Sequence, residues 1–104
     1  MKLYLDDLRL TPRGFDLRAY TAAEAITMLE AGNVDFISFD HDLGEPECGT
    51  GYDVAKWIEE QAHTNSMFVM PDWTVHSGNP VGAGNIQRAM LSADRAYRMR
   101  SVHA

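Results

Sequence analysis

The sequence predicts a small α/β domain built on a mainly parallel sheet of about four strands. Short apolar segments alternate with longer segments of helical periodicity along the chain. The segment VDFISFD, at 34–40, is almost continuously apolar, which is typical of a strand buried on both faces. Strands that are joined through helices run parallel, with right-handed crossovers.

Four segments have the length and composition of strands. They are residues 2–5, 16–20, 34–40 and 73–77. A loop at 9–15, which contains Pro12 and Gly14, separates the first two strands. Residues 63–72 fit either a loop or an extra strand broken by Pro71.

Three segments are predicted as helices. They are residues 21–32, 50–62 and 79–97. Thr21 with Glu24, and Thr50 with Asp53, have the spacing of capping boxes. Asn79 is followed by a proline and suits the N-cap of the third helix. Two glycines in the next few residues predict that the regular helix begins only further on, near residue 85.

The length of 104 residues predicts one domain over residues 1–104, with residues 98–104 as a frayed tail or a last strand. The net charge of −6 disfavours attraction to the backbone of duplex DNA. No apolar run approaches the roughly 18 residues of a membrane span. The lone Cys48 fits a reducing compartment, and acids interrupt the first apolar stretch, so we expect a cytoplasmic protein.

Acidic residues follow two strands of the predicted sheet. Asp6 and Asp7 come after the first strand, and Asp40 and Asp42 come after the third. The carboxyl ends of parallel strands are where ligands bind in such sheets. Crowded carboxylates repel one another, and a hard divalent cation relieves that repulsion. These four aspartates therefore predict a site for Mg²⁺ or Mn²⁺; the alternative is one turn-capping aspartate with the others facing solvent.

Two histidines follow neighbouring strands at the same edge. His41 and His76, beside Ser77, predict acid–base catalysis if they face one pocket, although two imidazoles also suit a transition metal. A single histidine at a strand end is more often a hydrogen-bonded structural residue. Arg9, Asn79 and the backbone N–H groups of the third helix's first turn predict a site for a phosphate group.

Four segments, LYLDDLR, FISFDHDLG, TGYDVAKWI and VHSGNPVG, together resemble the receiver fold of response regulators. They resemble more closely the cyclic-phosphate processing receiver domain family, over about residues 2–93. The resemblance implies a three-layer, flavodoxin-like domain in which the loop at 9–15 replaces the first receiver helix. In receivers an acidic pair and a later aspartate bind Mg²⁺, the later aspartate accepts a phosphoryl group, and a Ser or Thr contacts that group. The matching residues here are Asp6, Asp7, Asp40 and Ser77.

The chain also departs from ordinary receivers. Its only lysines are Lys2 and Lys56, so the lysine that follows the fifth strand of a receiver has no counterpart. Histidines at positions 41 and 76 are not receiver hallmarks either. Both departures disfavour a phosphorelay switch, and the family name implies the processing of cyclic phosphates, such as those on RNA ends or cyclic nucleotides.

The leading hypothesis is a metal-dependent hydrolase that opens a cyclic phosphate on a nucleotide or an RNA end. Its catalytic residues would be Asp40, His41, His76 and Ser77. The alternatives are non-catalytic binding or sequestration of a nucleotide or phosphorylated ligand, and a degenerate receiver that acts through protein interactions. The expected partner is a phosphate-containing small molecule or an RNA end, and neither duplex DNA nor a membrane is expected as a partner.

Overall fold

Four parallel strands form the sheet of this computed structural model, which describes residues 1–103 of the chain and the side chains of residues 1–100. The strands are β1 (Lys2–Leu5), β2 (Leu17–Ala19), β3 (Phe36–Phe39) and β4 (Asp72–Val75). Their spatial order is β2-β1-β3-β4, and every neighbouring pair runs parallel. The predicted α/β class and four-stranded parallel sheet are confirmed, and residues 65–71 form a loop rather than a strand.

Three helices accompany the sheet. They are α1 (Ala22–Glu30), α2 (Gly51–Thr64) and α3 (Pro80–His103), and a short 3-10 turn lies at Pro46–Cys48. Both predicted capping boxes are present: the hydroxyl of Thr21 accepts from the Glu24 N–H, and that of Thr50 from the Asp53 N–H. Since each cap satisfies backbone donors at a helix start, these sequence signals locate the helices well.

Helix α3 is longer than predicted at both ends. It begins at Pro80 rather than near Asn85, because the Asn79 side chain accepts a hydrogen bond from the Gly82 N–H at 3.0 Å. The expected tail at 98–104 is helical as far as His103, and residue 104 lies outside the described residues. The guanidinium of Arg100 explains this extension, because it binds four carbonyl oxygens. They belong to Ala62, Asn65, Ser66 and Phe68, at 2.9–3.1 Å.

The three helices pack against one face of the sheet. The connections β2–α1–β3 and β3–α2–β4 cross the sheet in the same direction, so right-handed crossovers place both helices on the same side. One buried cluster joins that face to all three helices. It includes Leu3, Leu5, Ile37 and Phe39 of the sheet with Leu29, Ile58, Ile86 and Met90 of the helices.

The other face of the sheet differs from the three-layer arrangement that we expected. In the part of the chain described, it is covered by the β1–β2 loop, whose Phe15 ring lies 5.1 Å from the ring of Tyr4 and 6.1 Å from that of Phe36. This loop is too short, and too interrupted by Pro12 and Gly14, to form a helix. The predicted replacement of a helix by a loop is therefore present, and it removes a layer of helices.

Candidate functional site

The carboxyl ends of β1, β3 and β4 lie in register at one edge of the sheet. Leu5 pairs with Phe39, and Phe39 pairs with Val75. The next residues are therefore side by side, with the Asp40 N–H bound to the Leu5 carbonyl at 2.8 Å. This row brings Asp6, Asp40 and His76 together, as the strand ends in the sequence predict.

Glycine at position 51 allows the start of α2 to lie directly against the backbone that follows β3. A Cβ atom there would collide with the carbonyl oxygen of Asp40. The Gly51 N–H also donates to the carbonyl of His41 at 2.8 Å. The close approach of helix and strand end thus depends on a residue without a side chain.

Asp6 is fully buried and accepts four hydrogen bonds. Its Oδ1 accepts from the backbone N–H groups of Leu8 and Arg9, both at 2.8 Å. Its Oδ2 accepts from Nη1 of Arg9 and from Nε2 of His76, both at 2.9 Å. Burial alone would raise the pKa of this carboxyl, but the hydrogen bonds from Arg9, Leu8 and His76 hold it well below its ordinary value. Asp6 is therefore a buried carboxylate whose charged form is stabilised by its hydrogen bonds.

His76 lies on the face of the sheet away from the helices. Its ring stacks on that of Tyr4 with 4.6 Å between centroids and 6° between planes. Its Nδ1 lies 2.7 Å from the Ser38 hydroxyl. An ionised carboxylate only accepts, so Nε2 carries the proton toward Asp6, and Nδ1 accepts from Ser38. Both ring nitrogens are thereby engaged, Nε2 with Asp6 and Nδ1 with Ser38.

Asp40 lies beside Asp6 and is 7% exposed. Its Oδ1 accepts from the backbone N–H of His41 at 2.8 Å, and its Oδ2 lies 3.5 Å from Nη1 of Arg9. Burial, and then the charge of Asp6, raise the pKa of Asp40 above its ordinary value. The half-buried Asp7 completes a group in which one carboxylate oxygen from each residue lies within 4.8 Å of the other two. The predicted clustering of these three aspartates is thus present, and cation binding there stays a prediction.

His41 belongs to a separate cluster at the start of α3. Its Nδ1 lies 2.9 Å from Oδ1 of Asp42, and the amide of Asn79 donates to Oδ2 of Asp42 at 3.3 Å. The His41 ring packs against Gly82, where a Cβ would collide with it. This contact was not predicted from the sequence. The available signal was Gly82 in the first turn of α3, because glycine permits a close approach of another group. The structure does not bring His41 and His76 together.

A cavity of about 650 Å³ opens at this edge of the sheet. Its lining is formed by Asp7, Leu8, Arg9, Asp40, Asp42, Gly44, Ser77, Gly78 and Asn79. Ser77 Oγ accepts from the Asn79 N–H at 3.1 Å, which leaves the hydroxyl hydrogen available as a donor. Six of the predicted site residues line this cavity, and neither histidine does.

Two partners of His76 were not among the predicted site residues. Ser38 is the polar residue inside the apolar β3, and Tyr4 occupies the matching position of β1. A polar residue within a buried strand was the available signal for Ser38. In the described residues, no helix is long and apolar enough to cross a membrane.

The comparisons with known proteins support the resemblance that the motifs indicate. The model of the cyclic-phosphate processing receiver domain family matches residues 1–92. No curated protein and no solved structure matches the chain. The matched range contains all four strands, both aspartate pairs and both histidines of the sheet edge. The chain therefore belongs to the cyclic-phosphate processing receiver domain family.

Proposed function

We propose that the chain hydrolyses a cyclic phosphate on a nucleotide or an RNA end, assisted by Mg²⁺ or Mn²⁺. One observation carries the proposal: a single cavity is lined both by carboxylates that suit a cation and by donors that suit a phosphate. Asp7 and Asp40 are the carboxylates, and Arg9, Ser77 and Asn79 are the polar groups that line the same cavity.

The donor set fits a hard divalent cation in part. Asp7 and Asp40 offer carboxylate oxygens at the cavity, and Asp42 lines it as well. Asp6 offers none, because its four hydrogen bonds use the roughly four acceptor positions of a carboxylate. The cation would polarise a phosphoryl oxygen and balance the negative charge that develops on it.

The residues of the chain would bind and orient the phosphate. Arg9 would neutralise one phosphoryl oxygen, since its side chain is half exposed at the cavity. The Ser77 hydroxyl would donate to a second oxygen. In the reaction, the oxygen of water forms a bond to phosphorus, and one phosphorus–oxygen bond of the ring breaks. The proton lost by water ends on the released hydroxyl, and the product is a phosphate monoester.

His41 is the residue that we assign to proton transfer. Its Nδ1 is oriented by Asp42, which lines the cavity, so Nε2 is the nitrogen left to exchange a proton. His76 differs, because Asp6 and Ser38 occupy both of its nitrogens. We therefore assign His76 a positioning role through Asp6.

A second candidate function is non-catalytic binding of a nucleotide or phosphorylated ligand. It is favoured by the absence of both histidines from the lining of the cavity. In this case the same cavity would hold the phosphate without turnover.

Turnover measured by mass spectrometry separates these functions. The purified chain would be incubated with 2′,3′-cyclic nucleotides, with cyclic dinucleotides and with RNA carrying a cyclic end, each with Mg²⁺, Mn²⁺ or chelator. The variants would be Asp40→Asn, His41→Gln and, as a control, Asp72→Asn. Asp72 is exposed and is the first residue of β4, at the end of the strand that is remote from the cavity.

Hydrolysis supports the enzyme if chelator abolishes it, Asp40→Asn and His41→Gln reduce it at least a hundredfold, and Asp72→Asn leaves it unchanged. Intact substrates in every reaction would overturn the hydrolase for these substrates. A ligand-induced rise in melting temperature without turnover would then support the binding function.

A further inference from the structure

Arg9 is the positive charge nearest to the cluster of three aspartates. Its Nη1 lies 2.9 Å from Oδ2 of Asp6 and 3.5 Å from Oδ2 of Asp40. Its backbone N–H also binds Asp6, so the residue is attached to this carboxylate twice. The guanidinium therefore lies between the two strand ends, where it balances negative charge that would otherwise be uncompensated.

The two aspartates hold Arg9 unequally. Asp6 has all its acceptor positions filled, and it is fully buried. Oδ2 of Asp40 makes the longer contact with Arg9, at 3.5 Å, and Asp40 lines the cavity. The side chain of Arg9 is 49% exposed and already lines the cavity, so it has room to turn further into it.

We propose that Arg9 is a built-in counter-cation of this site, which a divalent cation displaces from Asp40 when it binds between Asp40 and Asp7. The inference rests on the proposed function, because it concerns the cation of the same cavity. It assigns Asp6 to holding Arg9 and His76 rather than to binding the cation. Displacement also turns the guanidinium toward the cavity, where it meets the phosphate only after the cation is bound.

The first test measures the affinity for Mn²⁺ alone by isothermal titration calorimetry on the full chain. The variants are Arg9→Met and Arg13→Met, which remove the same charge from the same loop. Arg13 is exposed and serves as the matched control for net charge. Removing the local repulsion should tighten Mn²⁺ binding on the order of tenfold in Arg9→Met, and less than twofold in Arg13→Met.

Two further variants identify the ligands. Asp40→Asn should abolish Mn²⁺ binding, whereas Asp6→Asn should weaken it by no more than about tenfold, since that change removes a nearby charge but no ligand. Loss of binding in Asp6→Asn, with its fold intact by circular dichroism, would overturn the assignment of Asp6. Equal or weaker binding by Arg9→Met than by the wild type would overturn the displacement and leave the hydrolase proposal standing.

A measurement on the wild type does not depend on any variant folding. The Nε–Hε signal of Arg9 in an ¹⁵N NMR spectrum should shift as Mg²⁺ is added, while that of Arg18 should not. Arg18 is bound to the carbonyls of Asp6 and Arg9 and serves as the internal reference. An Arg9 signal unchanged at saturating Mg²⁺ would overturn the inference, and so would the absence of Mg²⁺ and Mn²⁺ binding altogether. Turnover that persists in chelator would instead contradict the metal requirement of the proposed function.

Discussion

Asp6 and His76 are joined by a hydrogen bond of 2.9 Å between Oδ2 and Nε2, although 70 positions separate them in the sequence. The bond crosses the sheet edge from the end of β1 to the end of β4. Through Nδ1, the same ring accepts from Ser38 of β3. One imidazole thus connects β3 with the ends of β1 and β4, and it supports the carboxylate that in turn binds Arg9.

The first prediction concerns acid stability. The folded state holds the pKa of Asp6 below its ordinary value, so the unfolded carboxyl binds a proton first as the pH falls. The stability that Asp6 contributes should be complete above about pH 5 and decline progressively below it. Urea unfolding at pH 7, 5 and 3 measures this decline.

Asp6→Asn should remove part of that decline and cost about 1–3 kcal/mol at pH 7, because an amide cannot accept all four hydrogen bonds. Asp40→Asn is the control of opposite sign. Burial and the charge of Asp6 raise the pKa of Asp40, so folding destabilises its charged form relative to the unfolded chain. This variant should be as stable as the wild type at pH 7, or more stable. An Asp6→Asn profile parallel to that of the wild type would contradict the prediction.

The second prediction tests the connection through His76. His76→Phe keeps a ring to stack on Tyr4, but it removes the donor to Asp6 and the acceptor for Ser38. We expect a loss of about 1–2 kcal/mol in the free energy of unfolding. Adding Ser38→Ala to this variant should lower the free energy of unfolding less than the same change does in the wild type, since the hydroxyl has already lost its partner.

A double-mutant cycle by chemical denaturation measures this coupling. Additive losses for the two substitutions would show that Ser38 and His76 act independently. Ligand affinity and turnover of His76→Phe test the positioning role separately: both should fall, because Asp6 loses the donor that helps it to hold Arg9.

The residues at the carboxyl ends of the strands could be predicted from the sequence, because the signals that mark a strand end or a helix start are local. A strand followed by acids, and a helix preceded by Asn79 and a proline, each define an end without reference to the rest of the fold. The parallel sheet then places those ends together. For this reason the clustering of Asp6, Asp7 and Asp40 was predictable from their positions after the strands.

The directions of the two histidines were not predictable in the same way. Each follows a strand end, and the side to which its ring turns depends on distant residues. His76 turns toward Ser38 and Tyr4, whereas His41 turns toward Gly82. Such contacts depend on register and on how closely a helix approaches, neither of which has a local signal.

The third prediction concerns the C-terminal part of α3. Arg100 binds four carbonyls at the end of α2 and in the loop that follows, so Arg100→Met should cost about 1–3 kcal/mol. Arg98→Met removes the same charge from an exposed position and should change stability by less than about 0.5 kcal/mol. Thermal unfolding of both variants makes the comparison. Equal melting temperatures would show that the four hydrogen bonds of Arg100 add nothing to the stability of the fold.

The fourth prediction compares substitutions at two glycines of α3. Gly82→Ala would place a methyl group in the His41 ring, so the ring or the start of α3 must move, at a cost of about 1–3 kcal/mol. Gly84→Ala is the matched control, because its nearest neighbour would be the end of the Arg88 side chain at 3.6 Å. In a helix this change should stabilise by up to about 1 kcal/mol.

Opposite signs for the two variants in urea unfolding would support the packing of His41 against Gly82. The same pair also tests the role of His41. If His41 transfers a proton, then Gly82→Ala should lower the turnover number while the affinity for Mn²⁺, which Asp40 governs, stays unchanged. Full turnover by a folded Gly82→Ala variant would contradict the assignment of His41, because a displaced imidazole would then have no effect on the chemistry.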